Sequence, residues 1–144
     1  MSLQDSAVSL TIRRVDYFYT MVEDRPGEAY RILTALLGRK VNLLAFSAVP
    51  MGPDHTQLVL YPEDVDAFTA AADELGLTLT STEQAILIQG DDHLGALADV
   101  HAQLYDAGIN VYSSNGVTNG RGGYGYVLHL KQTDFERAAQ ALGV

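Results

Sequence analysis

Asp24–Phe46 reads DRPGEAYRILTALLGRKVNLLAF, and Asp92–Ser114 reads DHLGALADVHAQLYDAGINVYSS. A constant shift of 68 positions aligns the two stretches, and the apolar residues of their helical patterns coincide. The same shift brings together three further pairs of identical residues, Asp24 with Asp92, Gly27 with Gly95 and Asn42 with Asn110. Matching turn, helix and strand signals at a fixed spacing indicate an internal repeat. The sequence therefore predicts two copies of one structural unit.

The first copy carries the signals of three strands and two helices. Arg14–Met21 is rich in β-branched and aromatic residues, which favours a strand. Val41–Val49 and His55–Tyr61 are predicted to be strands as well, and the turn residues of Pro50–Asp54 separate them. The first helix is predicted from an apolar stripe at helical spacing, made of Ala29, Ile32, Leu33, Leu36 and Leu37. The second helix opens at Pro62-Glu63-Asp64 and has the inward residues Val65, Phe68, Ala72 and Leu75.

The second copy repeats this order. Strands are predicted at Ala85–Ile88, Asn110–Asn115 and Tyr124–Leu130. Two apolar stripes predict its helices, the first made of Leu94, Leu97, Val100 and Leu104 and the second of Phe135, Ala138 and Leu142. In the later part of the copies a shift of 70 positions pairs Leu60 with Leu130. That shift predicts two extra residues in the glycine-rich stretch Asn119–Gly123.

The repeated order predicts the fold class. Each copy reads as a ferredoxin-like βαββαβ unit, an α+β fold in which helices cover one face of an antiparallel sheet. We expect two such units side by side, with a first domain at 13–82 and a second at 83–144. The second copy ends in a helix, so its fourth strand is missing downstream. Val8, Leu10 and Ile12 alternate with polar residues as an edge strand does. Residues 7–12 are therefore predicted to supply the missing strand, and a frayed tail is the alternative.

Two motifs resemble those of the ACT domain family, and the resemblance covers roughly residues 8–144. One is the turn Asp24-Arg25-Pro26-Gly27 between a strand and a helix, and the other is AGIN (Ala107–Asn110) before a strand. The second copy keeps the aspartate and the glycine of the turn but has Leu94 where the family has proline. The resemblance implies a non-catalytic regulatory protein that binds a small ligand, commonly an amino acid, and that associates with a second copy or with a metabolic enzyme.

The resemblance also implies where the ligand binds. ACT domains typically join edge to edge, and ligands lie where the strand-to-helix turn of one domain meets the second strand of the other. Carried over to this sequence, the first site comprises Asp24, Arg25, Pro26, Gly27 and Asn110, and the second comprises Asp92, His93, Leu94, Gly95 and Asn42.

These residue types suit a zwitterion. The start of a helix offers unpaired N–H groups to a carboxylate, an aspartate accepts hydrogen bonds from an ammonium, and an asparagine side chain both donates and accepts. Each part also has an ordinary explanation. Proline beside an acidic residue is common at a helix start, and asparagines stabilise turns.

Composition restricts the function classes. The chain has 144 residues, 47% of them apolar, no cysteine and a formal net charge of −9. This acidity argues against nucleic-acid binding, which depends on Lys and Arg. No apolar run approaches the ~20 residues of a membrane span, and no signal peptide is evident, so we expect a cytoplasmic protein. The histidines are scattered and no catalytic motif appears, so no enzyme activity, metal or cofactor is expected.

Two alternatives stay open. RGGYGYVLHL (Arg121–Leu130) imitates the aromatic signature of RNA-recognition motifs, which share the βαββαβ order. The overall charge and the lack of an aromatic residue in AILIQG (Ala85–Gly90) oppose RNA binding. A ligand-free interaction or dimerisation module is the second alternative, because the sheet faces and edges of this fold serve as contact surfaces.

Overall fold

A computed structural model describes residues 9–144 of the chain. These residues form six strands and four helices. Their bounds are β1 (Leu10–Glu23), α1 (Glu28–Gly38), β2 (Leu43–Pro50), β3 (His55–Pro62), α2 (Val65–Leu75), β4 (Glu83–Asp91), α3 (Ala96–Asp106), β5 (Ser113–Thr118), β6 (Gly123–His129) and α4 (Gln132–Ala141). No helix of the described chain is long and apolar enough to cross a membrane.

The chain divides into two compact units, and the division falls inside β1. The first unit is Asp16–Glu83, and the second joins the described residues up to Val15 with Gln84–Val144. The predicted domain bounds, 13–82 and 83–144, stay a prediction. The α+β fold class, with its repeated βαββαβ order, is confirmed.

In the first unit the antiparallel strands follow the order β2, β3, β1. A fourth extended segment runs beside β1, because the N–H of Thr80 donates to the carbonyl of Tyr19 at 3.1 Å. The hydroxyl of Thr20, a buried side chain, donates to the carbonyl of Thr78 at 3.0 Å. Helices α1 and α2 close the core on one face, where the fully buried residues are Ile32, Leu36, Leu58, Leu60 and Phe68.

In the second unit the order is β1, β4, β6, β5, so the N-terminal strand completes this sheet. The N–H of Asp91 donates to the carbonyl of Ser9 at 2.9 Å. Gly90 allows this close approach, since a Cβ there would lie 2.5 Å from the Ser9 carbonyl oxygen. The guanidinium of Arg14 fixes the same strand to α4 by two contacts with the Glu136 carboxylate, at 2.7 and 3.0 Å. Helices α3 and α4 cover the core of this unit.

β1 is one continuous strand of 14 residues. The sequence predicted two separate strands, at 7–12 and at Arg14–Met21, and this separation is wrong for the described residues. The physical reason is that Arg13-Arg14 contains no turn-forming residue, so nothing interrupts the extended backbone. Residues 7 and 8 of the predicted first strand lie outside the described residues.

The β2–β3 and β5–β6 hairpins are related by a single shift in residue number. Phe46 pairs with Leu60 in the first unit, and Ser114 pairs with Leu128 in the second, which is a shift of 68 on both strands. The predicted two-residue insertion is therefore wrong, and the equivalent of Leu60 is Leu128 rather than Leu130. The error has a simple cause, because side chains alternate with period two and a slip of two positions leaves the apolar pattern unchanged.

Candidate functional site

The first predicted turn connects β1 to α1 and is exposed from Asp24 to Gly27. Gly27 precedes the helix with φ of 94°, a left-handed conformation that favours glycine. The N–H of Asp24 donates to the carbonyl of Asp54 at 2.8 Å, which holds the turn against the β2–β3 hairpin. The turn thus has a defined backbone, and no side chain caps the helix start.

Ion pairs surround the first turn. The guanidinium of Arg25 lies 3.1 Å from the Glu23 carboxylate and 3.3 Å from the Glu28 carboxylate. Glu28 also contacts Arg31 at 3.5 Å, and its side chain is only 15% exposed. The Arg25 side chain is itself 61% exposed, so its ion pairs contribute little to stability. They do occupy the Arg25 guanidinium, the group best suited to a ligand carboxylate in this turn.

The second predicted turn, Asp92–Gly95, has the same backbone design. Gly95 precedes α3 with φ of 79°, and the N–H of Asp92 donates to the carbonyl of Gly122 at 2.7 Å. Both partners lie 68 positions after those of the first turn. The side chains differ, because Leu94 is fully exposed and the described residues hold no ion pair with this turn.

The second turn opens on a cleft of about 450 Å³, which we call the α3 N-terminal cleft. Asp92, His93 and the first turn of α3 form one side, and β5 and β6 form the other. The N–H groups of Gly95 and Leu97 donate to no acceptor among the described residues. The two strands contribute the small residues Gly116 and Gly125 and the side chains Val117, Thr118 and Tyr124.

Tyr124 and Asp92 give this cleft both a donor and a negative charge. Burial, and secondly the charge of Asp92, raise the pKa of the Tyr124 phenol above its usual value. The phenol therefore stays protonated at neutral pH and can donate a hydrogen bond. The cleft consequently combines unpaired backbone donors at a helix start, a carboxylate and a phenol.

The two predicted asparagines lie apart from the turn of their own unit. Asn42 is exposed before β2, and its carbonyl accepts from the N–H of Glu63 at 2.9 Å. Asn110 is exposed before β5 and lines another cleft of the second unit together with Tyr105 and Tyr112. The pairing of each turn with the asparagine of the other copy stays a prediction.

Sequence reasoning missed the β5 and β6 residues that line the α3 N-terminal cleft. Val117 pairs with Gly125 and Thr118 with Tyr124 across the hairpin. The predicted shift of 70 positions misaligned the β5–β6 hairpin with the β2–β3 hairpin, so their equivalent residues were not recognised. The uniform shift of 68 would have placed Gly122 at the second turn, just as Asp54 lies at the first.

The aromatic residues that suggested RNA binding lie on the face of the sheet that the helices cover. Tyr126 is buried in the core under the helices, and Tyr124 packs against the same core. The Tyr126 hydroxyl lies 2.7 Å from Nε2 of His101 in α3. Aromatic rings that stack on bases must reach the open face of the sheet, so these two tyrosines cannot serve as that platform.

Comparison with known proteins gives the fold. No protein-family profile and no curated protein matches the chain. A solved structure of a protein from Bacteroides thetaiotaomicron matches with a TM-score of 0.76 and 18% identity, over 91% of this chain and 88% of that one. The ligand-free regulatory subunit of aspartate kinase from Thermus thermophilus matches with a TM-score of 0.60 and 14% identity, over 94% and 93%. The chain has the fold of ACT regulatory domains.

A second aspartate kinase regulatory subunit, from Thermus flavus, supports the same ACT fold. It matches with a TM-score of 0.55 and 16% identity, over 94% of both chains. At these identities the likeness establishes the fold alone, and it confirms the ACT-type fold that the resemblance implied. The structures from the two Thermus species are described as regulatory subunits of aspartate kinase. Within residues 9–144, no group of three or more histidine, aspartate or glutamate side chains is placed to hold a metal ion.

Proposed function

We propose that this protein is a non-catalytic sensor that binds an amino acid at its strand-to-helix turns and regulates a metabolic enzyme or its own association. The observation that carries the proposal is the α3 N-terminal cleft, which lies at one of the two turns that the sequence singles out. The regulatory descriptions of two structural neighbours support it. A cytoplasmic location stays a prediction from the sequence.

The chemistry of the α3 N-terminal cleft suits the two ends of an amino acid. The unpaired N–H groups of Gly95 and Leu97, at the positive end of α3, favour the ligand carboxylate. The carboxylate of Asp92 favours the ligand ammonium, and Val117 offers apolar contact to a side chain. Nothing in this arrangement transfers a proton or activates a nucleophile, so binding is the role that it supports.

The first turn is the weaker ligand site under this proposal, because Arg25 is already engaged by Glu23 and Glu28. The first turn keeps the proline of the family motif, so the sequence alone favours it as the ligand site. We assign the primary binding role to the second turn, where Leu94 replaces that proline and its side chain points to solvent.

Thermal unfolding of the full chain against the twenty amino acids tests this function. A ligand at about 100 times its Kd stabilises the folded state by about 2.7 kcal/mol, which raises Tm by several degrees for a chain of this size. We expect one amino acid, or a small group of related ones, to do so. Asp92→Asn should diminish the shift, and the matched variant Asp24→Asn should retain it.

Three outcomes oppose the proposal or its assignment. If no amino acid raises Tm, the sensor function is wrong. If both variants retain the full shift, binding occurs away from the turns. If only Asp24→Asn loses the shift, the first turn is the primary site and the assignment to the second is wrong.

A dimerisation module is a second candidate, and β5 favours it. All six residues of β5 are exposed, and none of them is charged. An exposed edge strand without charged or proline residues readily pairs with another strand. Sedimentation of the chain and of Val117→Lys tests this candidate, since a lysine on the edge should lower the apparent mass of a β5-mediated dimer to that of the monomer. A monomeric wild-type chain would exclude it.

A further inference from the structure

The C-terminal end of α3 opens on a separate cleft of the second unit, of about 570 Å³. We call it the α3 C-terminal cleft. Its walls come from the last two turns of α3, from the segment before β5 and from the first residues of β5. The residues that matter here are His101, Tyr105, Asn110, Tyr112, Ser113 and Ser114. A volume of this size accommodates a small organic molecule.

No charged side chain lines the α3 C-terminal cleft. The whole stretch from Ala107 to Gly120 contains no Asp, Glu, Lys or Arg, in a chain whose net charge is −9. The negative end of the α3 dipole also lies here. The Arg137 guanidinium of α4 donates to the Ala107 carbonyl at that end, at 3.2 Å, but Arg137 does not line the cleft. A phosphate or carboxylate would find no counter-charge among these side chains. The occupant that fits is therefore uncharged.

Aromatic rings dominate the cleft. Tyr105 is 83% exposed and Tyr112 is 70% exposed, which leaves both rings available for contact. His101 precedes Tyr105 by four residues and so shares its helix face. Its Nε2 atom lies 2.7 Å from the Tyr126 hydroxyl, which fixes the orientation of the imidazole. Exposed aromatic rings gathered at a cleft are typical of a surface that binds a flat apolar face.

The polar groups of the cleft supply the complementary chemistry. The side chains of Asn110, Ser113 and Ser114 make no hydrogen bond among the described residues. An asparagine amide presents one donor side and one acceptor, as the edge of a heterocyclic base does. Serine hydroxyls both donate and accept, which suits the hydroxyls of a sugar.

We infer that the α3 C-terminal cleft binds a nucleoside without a phosphate, its base against Tyr105 or Tyr112 and its polar edge at Asn110. The inference is independent of the amino-acid site assigned to the second turn, which lies at the opposite end of α3. It gives Asn110 a role different from the one that the family resemblance implies at the first turn. It differs from RNA binding, because the cleft has no cation to contact a phosphate backbone.

Isothermal titration of the full chain with the four ribonucleosides tests the inference. We expect saturable binding of at least one, with its 5′-monophosphate at least about tenfold weaker, because no cation pairs with the phosphate. Failure of all four nucleosides to bind would overturn the inference. Equal or tighter binding of the monophosphate would overturn it as well.

Two tyrosine variants locate the binding. Tyr105→Ala and Tyr112→Ala should each weaken nucleoside binding, and about tenfold is expected for the ring on which the base stacks. Tyr30→Ala is the matched control, since Tyr30 is 75% exposed on α1 and lies in the first unit. Asp92→Asn should leave nucleoside affinity unchanged, which separates this site from the amino-acid site.

The same variants expose the main competing explanation, that the two exposed rings contact another copy of the chain. Sedimentation would then show a lower mass for Tyr105→Ala and Tyr112→Ala while nucleoside affinity stays at the wild-type value. That result, or an equal loss of affinity in Tyr30→Ala, would overturn the inference.

Discussion

The two strand-to-helix turns share a backbone and differ in side chains. Each has a left-handed glycine before its helix and an aspartate N–H bound to the carbonyl of a neighbouring hairpin. The first turn is surrounded by the ion pairs of Arg25, whereas the second adjoins a cleft. The comparison shows that both copies keep the same backbone structure before the helix, namely the left-handed glycine and the hydrogen bond of the aspartate N–H. What a turn can bind is decided by the residues around it.

The largest expected effects concern the cores, where the two units should behave alike. Phe68 of α2 and Phe135 of α4 are both buried. Either substitution by alanine leaves a cavity, and we expect a loss of about 3–5 kcal/mol in the free energy of unfolding. Urea unfolding measures it. A loss in only one variant would show that the other unit repacks around its cavity.

The next effect concerns the glycines of the turns. Gly27→Val and Gly95→Val each place a β-branched residue at positive φ, with a cost of about 1–3 kcal/mol. Similar losses in urea unfolding are expected, because the backbone structure is shared. Gly38→Ala is the control, since a Cβ at Gly38 meets no atom within 4 Å and its φ is not positive. Strongly unequal losses at Gly27 and Gly95 would contradict the shared design.

The stability of the two units should respond differently to pH. Equivalent positions of the repeat hold different titratable residues, Tyr61 in β3 and His129 in β6. Burial lowers the pKa of His129, so the folded second unit favours the neutral imidazole. Stability from this group is present above pH ~6.5 and is lost as pH falls below it, by at most about 1.4 kcal/mol per pH unit. His129→Gln should flatten the dependence of unfolding free energy on pH between pH 7 and pH 5, approximately.

Tyr61 makes the stability of the first unit change with pH in the opposite direction. Burial raises the pKa of Tyr61, and that of Tyr17 beside it, well above the ordinary value of about 10. Stability from these groups is present below pH ~10 and is lost as pH rises further. Tyr61→Phe should reduce this alkaline loss in urea titrations. An unchanged slope above pH ~10 would show that the Tyr61 phenol does not control it.

The smallest effect concerns one surface ion pair of the second unit, between Arg14 and Glu136. Hydrogen bonds from Arg14 hold the pKa of Glu136 below its usual range. Glu136→Gln should therefore lower Tm slightly at neutral pH, and the difference should vanish as pH falls below the ordinary glutamate pKa of about 4.3. Glu74→Gln is the matched control, because Glu74 makes one contact with Arg39, at 3.0 Å. An equal decrease in both variants would remove any special role of the Arg14 contacts.

Much of the fold could be predicted because its signals are local. The stripe of α1, the glycines before α1 and α3 and the acidic start of α2 each specify an element from a few neighbouring residues. The sequence did not reveal the hairpin register, because Leu128 and Leu130 fit the same alternating pattern. It did not reveal the α3 N-terminal cleft either, because Val117 and Tyr124 reach the turn only through strand pairing.

β1 has a consequence for the order in which the protein is made. Its first residues pair with β4, and Arg14 contacts Glu136 in the last helix. The second unit therefore joins β1 residues up to Val15 with Gln84–Val144, which are synthesised after the whole first unit. Residues 16–83 can form their contacts while the ribosome is still synthesising the residues that follow, since domains commonly fold during synthesis. The second unit cannot close until α4 has been synthesised, and long-range closure of this kind slows folding. A chain cut between residues 83 and 84 would yield a C-terminal fragment that lacks one strand of its own sheet.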